Sequence, residues 1–175
     1  MWEATELMRE METREVHPDT RTRSLFIRAC CEAGDMEQGE EVLTEMEAVG
    51  DVPQVHVYTT LVNGWGGAGY PDRVWRVFER MKRAGVEPDG PFFHTLITSL
   101  IERCNTVIEG RLRRAAEDMK GRGLRVDKAT GHHWLKELPR GVMESTREAI
   151  LGLLPLDFVV EEDDLSKTYF LMPEA

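Results

Sequence analysis

The chain has 175 residues, 41% hydrophobic and 31% charged, the size and composition of one ordinary domain that folds rather than stays disordered. No run of 18 apolar residues occurs, which excludes a membrane-spanning helix, and neither a basic-apolar-small leader nor an Arg/Ser-rich transit segment is read at the start. The formal net charge of -10 argues against a nucleic-acid partner until its distribution is followed: residues 1–54 hold 14 acids and 5 bases, 55–140 hold 10 acids and 15 bases, and 141–175 hold 8 acids and 2 bases. A basic middle lies between two acidic ends.

Self-similarity organises the rest. Residues 1–19 read as the second helix of a partial unit, with Met11 in a methionine slot and Pro18-Asp19 closing it. Residues 20–54 and 55–89 then superpose at a shift of 35. Ala33-Gly34 matches Ala68-Gly69, Met46 matches Met81, Gly50 matches Gly85, and Pro18, Pro53 and Pro88 recur in series. In the first half of each unit Phe26, Ile27 and Cys30, or Tyr58, Leu61, Val62 and Trp65, fall at helical spacing. Ala-Gly ends that helix, and a second amphipathic run follows with Val42, Leu43 and Met46, or Val74, Val77, Phe78 and Met81. Glycine stops the second run and proline keeps it from continuing. Each unit is therefore two antiparallel helices, and such a hairpin buries both apolar stripes only by stacking on its neighbours as a solenoid.

The pattern weakens downstream. Residues 90–127 keep Thr95-Leu96-Ile97 in register, but Arg103-Cys104 replaces Ala-Gly, and Met119 and Gly123 arrive three residues late. The extra residues are expected to lengthen a helix or loosen the turn around Asn105-Thr106. Residues 128–155 read as an atypical C-terminal cap: one helix cut short by Pro139, then a second over 144–155 with Ile150, Leu153 and Leu154 on its apolar side. Residues 156–175 form an acidic tail with the hydrophobic tip Tyr169-Phe170-Leu171-Met172. Cys30, Cys31 and Cys104 offer no CxxC pair, and adjacent cysteines rarely bridge, so they are expected as reduced, buried apolar groups.

The 55–89 unit, V-x-x-Y-T-T-L-V…A-G…V-F-x-x-M-x-x-x-G-V-x-P-D, resembles the pentatricopeptide repeat family across its whole length; 20–54 matches well and 90–127 is degenerate. The resemblance implies an all-α fold, a right-handed superhelical solenoid of antiparallel helix-turn-helix repeats with a C-terminal helical cap. It also implies a plastid or mitochondrial protein that binds single-stranded RNA for processing or gene expression, about one base per repeat. In the family the fifth and last residues of a unit bond to the base edge and the second packs on the base face. Thr59 and Asp89 then form the pairing that favours guanine, with His56 stacking. Ser24 and Gln54 with Arg21, and His94 and Asp127 with Pro91, depart from the usual code, and His132 takes the fifth slot in the cap.

Each of these readings has a plainer rival. Ser24 and Thr59, early in their helices, are also good N-caps. Arg73, Arg76, Arg80, Lys82 and Arg83, like the later run from Arg111 to Arg125, lie on second helices, where a solvated face or an acidic neighbour competes with phosphate. Lys128, Lys136 and first-helix Arg103 are better phosphate-contacting candidates. His132-His133 and Glu161-Glu162-Asp163-Asp164 lack the spacing of a metal site, and the tryptophans sit at core positions. No zinc deaminase signature, nucleophile elbow, phosphate loop or paired carboxylates appear, so no enzyme, cofactor or small-molecule substrate is expected. The sequence reads as a single-stranded RNA-binding module of an organellar RNA-processing or gene-expression protein. The alternative is a protein-interaction scaffold within a larger organellar complex, engaging partners through its acidic ends and C-terminal tail.

Overall fold

The computed structural model describes residues 6, 9–11, 13–139 and 141–155. The acidic tail and its hydrophobic tip fall outside the described residues, as does much of the upstream partial unit, which is helical at 6, 9–11 and 13. Beyond that stretch the described residues form eight helices and no strand: α1 (Thr20–Glu32), α2 (Met36–Ala48), α3 (Val55–Gly67), α4 (Pro71–Arg83), α5 (Gly90–Ile101), α6 (Thr106–Gly121), α7 (Lys128–Glu137) and α8 (Glu144–Leu151). The chain divides into two compact units, Met1–Phe92 and Phe93–Ala175.

In the first unit α1 to α4 are each 13 residues long, so two equal hairpins follow one another. Local chemistry sets their ends. The Asp19 carboxylate accepts the Thr22 N–H at 2.7 Å and opens α1; Asp35 accepts the Gln38 N–H at 3.2 Å and opens α2. Pro71 supplies the first turn of α4, where an amide hydrogen has no partner to lose. At the far end of α4, Gly85 takes φ +72°, its N–H donates to the Lys82 carbonyl at 3.1 Å, and the Val86 N–H reaches back to Met81 O at 3.1 Å. These two bonds satisfy carbonyls that the helix end leaves orphaned, and a left-handed glycine makes them geometrically possible. The same closure recurs after α2, at Gly50.

The expected apolar stripes are the core. Phe26, Ile27 and Cys30, Val42, Leu43 and Met46, Tyr58, Leu61, Val62 and Trp65, and Val74, Val77, Phe78 and Met81 are all buried. Helix α2 approaches the next hairpin closely at Gly39, where an added Cβ would stand 3.3 Å from Leu61 Cδ2 and 3.6 Å from Ile27 Cγ2. Polar contacts flank this apolar seam. Glu40 accepts the Trp65 indole N–H at 2.6 Å and pairs with Arg73 at 3.4 Å. One turn further, Thr44 accepts Arg80 Nη2 at 2.8 Å, and both oxygens of Glu47 lie 2.9 Å from Arg80 Nε. The Tyr58 hydroxyl also donates to Glu47 at 3.3 Å. Glu40, Thr44 and Glu47 share one face of α2, at spacings of four and three residues, and that face holds the following hairpin. The competing reading of the α4 cations is therefore the observed one for Arg73 and Arg80: an acidic neighbour takes them.

In the second unit Asn105 caps α6, its side chain accepting the Val107 and Ile108 N–H groups at 3.0 Å each. Helix α6 runs 16 residues, three more than α2 or α4, so the late Met119 and Gly123 reflect a lengthened second helix. Helix α7 stops before Pro139, as a residue preceding proline leaves the helical region. Helix α8 starts on a carboxylate from another helix: buried Glu109 of α6 accepts the Met143 N–H. It ends earlier than expected, at Leu151, and Leu153 and Leu154 are buried from the turn that follows. That turn is tied back by Val126 N–H to Leu153 O at 3.1 Å and Arg125 Nη1 to Leu154 O at 2.8 Å. Trp134 is buried with its indole N–H donating to Thr98 Oγ1 at 2.9 Å, and Trp65 is a core residue of the first unit. All three cysteines are free, but only Cys30 is fully buried; Cys31 and Cys104 are half-buried. Burial pushes the Cys30 thiol up to about 11.

Two outcomes check this account. Gly85→Ala forces a side chain into the left-handed region and lowers unfolding free energy by roughly 1–2 kcal/mol, whereas Gly110→Ala, helical with nothing within 4 Å of the new methyl, raises it by about 0.5–1 kcal/mol; urea unfolding measures both. A double-mutant cycle on Glu47→Ala and Arg80→Ala gives a coupling of about 1 kcal/mol. Strict additivity would mean that this ion pair holds nothing.

Candidate nucleic-acid interface

A cavity of about 400 Å³ opens between the first helices of the two hairpins of the first unit, lined by Thr20, Arg21, Ser24, Leu25, Arg28, Gln54, His56 and Thr60. Arg21, Ser24, Leu25 and Arg28 stand at i, i+3, i+4 and i+7, one face of α1. The opposite wall comes from the start of α3. The cavity thus gathers Arg21, Ser24, Gln54 and His56, four residues that the sequence nominated from three different positions of the repeat.

Their surroundings define what each offers. The Ser24 hydroxyl donates to Thr20 O at 2.6 Å, so what remains toward the cavity is acceptor capacity. Gln54 precedes α3 with extended backbone and makes no capping bond with its side chain, unlike Asp19 before α1, so its carboxamide keeps both donor and acceptor functions. Arg21 and His56 are exposed and contribute two planar cationic or aromatic groups. Leu25, 52% exposed, supplies an apolar surface between polar groups. Thr60 turns its hydroxyl proton to His56 O at 2.9 Å.

The remaining candidates are placed less tightly. Thr59 is half-buried on α3 with its hydroxyl donating to Val55 O at 3.0 Å, and its neighbour Thr60 takes the place in the cavity lining. Neither Ser24 nor Thr59 is an N-cap. Asp19 caps α1 and Gln54 precedes α3 without a side-chain cap bond, while ahead of α5 and α7 carboxylates cap: Asp89 accepts the Phe92 N–H at 2.9 Å, and Asp127 accepts the Thr130 N–H at 2.7 Å. That bond from Thr130, with a smaller contribution from nearby His94, holds the Asp127 carboxyl below the usual range. His94 is exposed and its ring centroid lies 5.7 Å from that of Trp134 at 39°, so His94, Asp127 and Trp134 share one neighbourhood of the second unit. His132 is half-buried on α7, and Pro91 is exposed in the first turn of α5. Lys128 and Lys136 are exposed near the two ends of α7. Arg103 is exposed too, but α5 stops at Ile101, so it belongs to the turn before α6 rather than to a first helix.

Several of the second-helix cations have partners within the chain. Besides Arg73 and Arg80, Arg122 pairs with Asp118 at 2.8 Å, and Arg113 lies 3.8 Å from Glu117. The sequence reading missed Thr20, Leu25, Arg28 and Thr60. Each lies four residues from a nominated position (Thr20 before Ser24, the others after Arg21, Ser24 and His56), so one further helical turn from the nominated residues would have found them. Among the described residues no group of three or more His, Cys, Asp or Glu side chains could hold a metal ion, and no helix is long and apolar enough to cross a membrane.

Comparison with known proteins gives the fold a lineage. Two family models match, the pentatricopeptide repeat domain over residues 6–68 and the PPR repeat family over 53–102, running together without a gap. A pentatricopeptide repeat-containing protein of Arabidopsis thaliana is 28% identical over 110 residues, covering 61% of this chain and 19% of its own length. A chloroplastic one from Oryza sativa subsp. japonica, the ATP4 homolog, is 31% identical over 81 residues, 46% of this chain and 12% of its own. The chain thus spans about a fifth or less of these curated relatives. Among solved structures, the pentatricopeptide repeat protein PPR10 from maize superposes with a TM-score of 0.71 at 22% identity, covering 85% of this chain and 21% of that one. A likeness at that identity is one of fold. With equal helical hairpins, glycine-closed second helices and two models of the family that together match residues 6–102, the chain belongs to the pentatricopeptide repeat family.

Proposed function

We propose that the chain is a single-stranded RNA-binding module of an organellar RNA-processing or gene-expression protein, acting by binding and not by catalysis. The observation that carries this reading is the convergence of Arg21, Ser24, Gln54 and His56 on one cavity between consecutive hairpins. An unstacked base presents two π faces and an edge of donors and acceptors. The cavity offers the complement: guanidinium and imidazole planes for the faces, a hydroxyl acceptor and a carboxamide for the edge. Thr59 with Asp89, and His94 with Asp127, would serve neighbouring bases, and Lys128, Lys136 and Arg103 would meet phosphates. Asp89 and Asp127 then have two duties, helix capping and base contact. A plastid or mitochondrial setting is supported by the chloroplastic relative and by the family's usual location.

Titration of labelled single-stranded RNA against the protein tests the reading. Binding is expected to weaken as salt rises, with Ser24→Ala and Gln54→Ala each losing about 1 kcal/mol, roughly fivefold. Asp89→Asn keeps a capping oxygen, so the unfolding midpoint holds while preference for guanine drops by a similar factor. No binding even at low salt would favour the protein-interaction scaffold instead.

A further inference from the structure

Helix α8 carries a buried arginine to which the described residues offer no anion. Arg147 is 5% exposed, and its Nε makes no hydrogen bond. Its sequence neighbours Glu144 and Glu148 are exposed, and neither pairs with it. On the α6 side, Glu109 is occupied by the Met143 N–H, while Arg113 lies beside Glu117 and the Ser145 hydroxyl. A guanidinium withdrawn from water without an acceptor is strongly unfavourable. Its place on the helix shows where an acceptor has room to come from. Ser145 meets Arg113 of α6, and Arg147 stands about 200° further round the helix, on the side turned away from α6. Half-buried Leu151, four residues on, shares that side. In a solenoid this is the end face, against which a further hairpin would stack.

We propose that the segment following the cap, residues 156–164, docks on this end face of α8, with a carboxylate of its acidic run pairing with Arg147. Three observations favour this occupant over a separate partner. Its charge is complementary: residues 157–164 hold five carboxylates, Asp157, Glu161, Glu162, Asp163 and Asp164, and no base. Its apolar content is complementary too, since Phe158, Val159 and Val160 stand between the first acid and the rest, with Leu151 to cover. Its reach suffices. The described chain ends at Pro155, just past the turn tied to Arg125 and Val126. From there the six residues to Glu161 span up to about 20 Å when extended, against about 6 Å along the axis from Leu151 back to Arg147. A tethered carboxylate also acts at high effective concentration, which a free acidic peptide does not. The segment thereby completes the cap: its apolar residues shield the end face and its acid neutralises the arginine.

Amide hydrogen exchange on the full chain tests the docking, read at α8 with α1 and α3 as internal references. Neutralising the run (Asp157→Asn, Glu161→Gln, Glu162→Gln, Asp163→Asn and Asp164→Asn together) is expected to speed exchange from Arg147 to Leu151 by about tenfold, leaving α1 and α3 unchanged. In an Arg147→Met background the same five replacements add nothing, because the pair is already gone. In Arg147→Lys they still act, since the ammonium keeps the charge. The five single variants then identify the carboxylate, one of them carrying most of the effect. The acids lie outside every described helix, so their replacement reads this contact even where Arg147→Met loosens α8 by itself. If the five-acid variant exchanges at α8 as the wild type does, or if its full effect persists with Arg147→Met, the docking is refuted. Protection of α8 that grows with protein concentration would assign the face to a second copy and overturn the proposal as well.

Discussion

Two carboxylates on α2 govern how the first unit is put together. Glu40 and Glu47 lie seven residues apart on one helix face, and each receives an arginine 33 residues further on, Arg73 and Arg80. Each also receives an aromatic donor from α3, the Trp65 indole and the Tyr58 hydroxyl. Apolar packing between hairpins is non-directional and would tolerate sliding along the seam. The paired contacts at both ends of the stripe do not, because moving α3 and α4 by even one residue would strand partly buried charges. What the seam supplies in energy, the stripe supplies in register.

That register places the cavity. Arg21 and His56 are 35 residues apart in the chain and meet only because α1 and α3 lie side by side at a fixed offset. The ion pairs also redistribute the charge that the composition reports. Part of the basic middle is internally engaged: Arg73 and Arg80 against α2, Arg113 on α6 and Arg122 just beyond its end. Net charge is thus a poor guide to what a ligand would meet. In the first unit it would meet exposed Arg21 and Arg28, from a segment that is acidic overall. Of the acidic residues in 1–54, Glu40 and Glu47 hold the next hairpin in place, and none of the acids lines the cavity.

On the proposed function, helix termini and ligand contacts draw on the same residues. The last position of a unit is both the natural N-cap of the next first helix and, in this family, a base-reading position. Asp89 and Asp127 fill it as caps, whereas Gln54 fills it without capping and leaves its amide toward the cavity. Losing one cap is tolerable because α3 is held by its buried face, Val57, Tyr58, Leu61, Val62, Trp65 and Gly66.

The sequence alone determined the helices. Spacing of apolar residues, the Ala-Gly turns, and the glycine and proline that close each second run are short-range signals, and the backbone obeys them at every boundary from Asp19 to Gly85. It determined half of the cavity as well, because the family positions are fixed by counting along a helix. Tertiary structure decided what counting could not reach. That Arg73 and Arg80 are engaged depends on partners 33 residues away, that Ser24 and Thr59 do not cap depends on where the helices start, and where α8 ends depends on Leu153 and Leu154 finding burial in a turn. Thr20, Leu25, Arg28 and Thr60 came to line the cavity only when α3 came to lie against α1. Periodicity is a property of one helix; a cavity is a property of two.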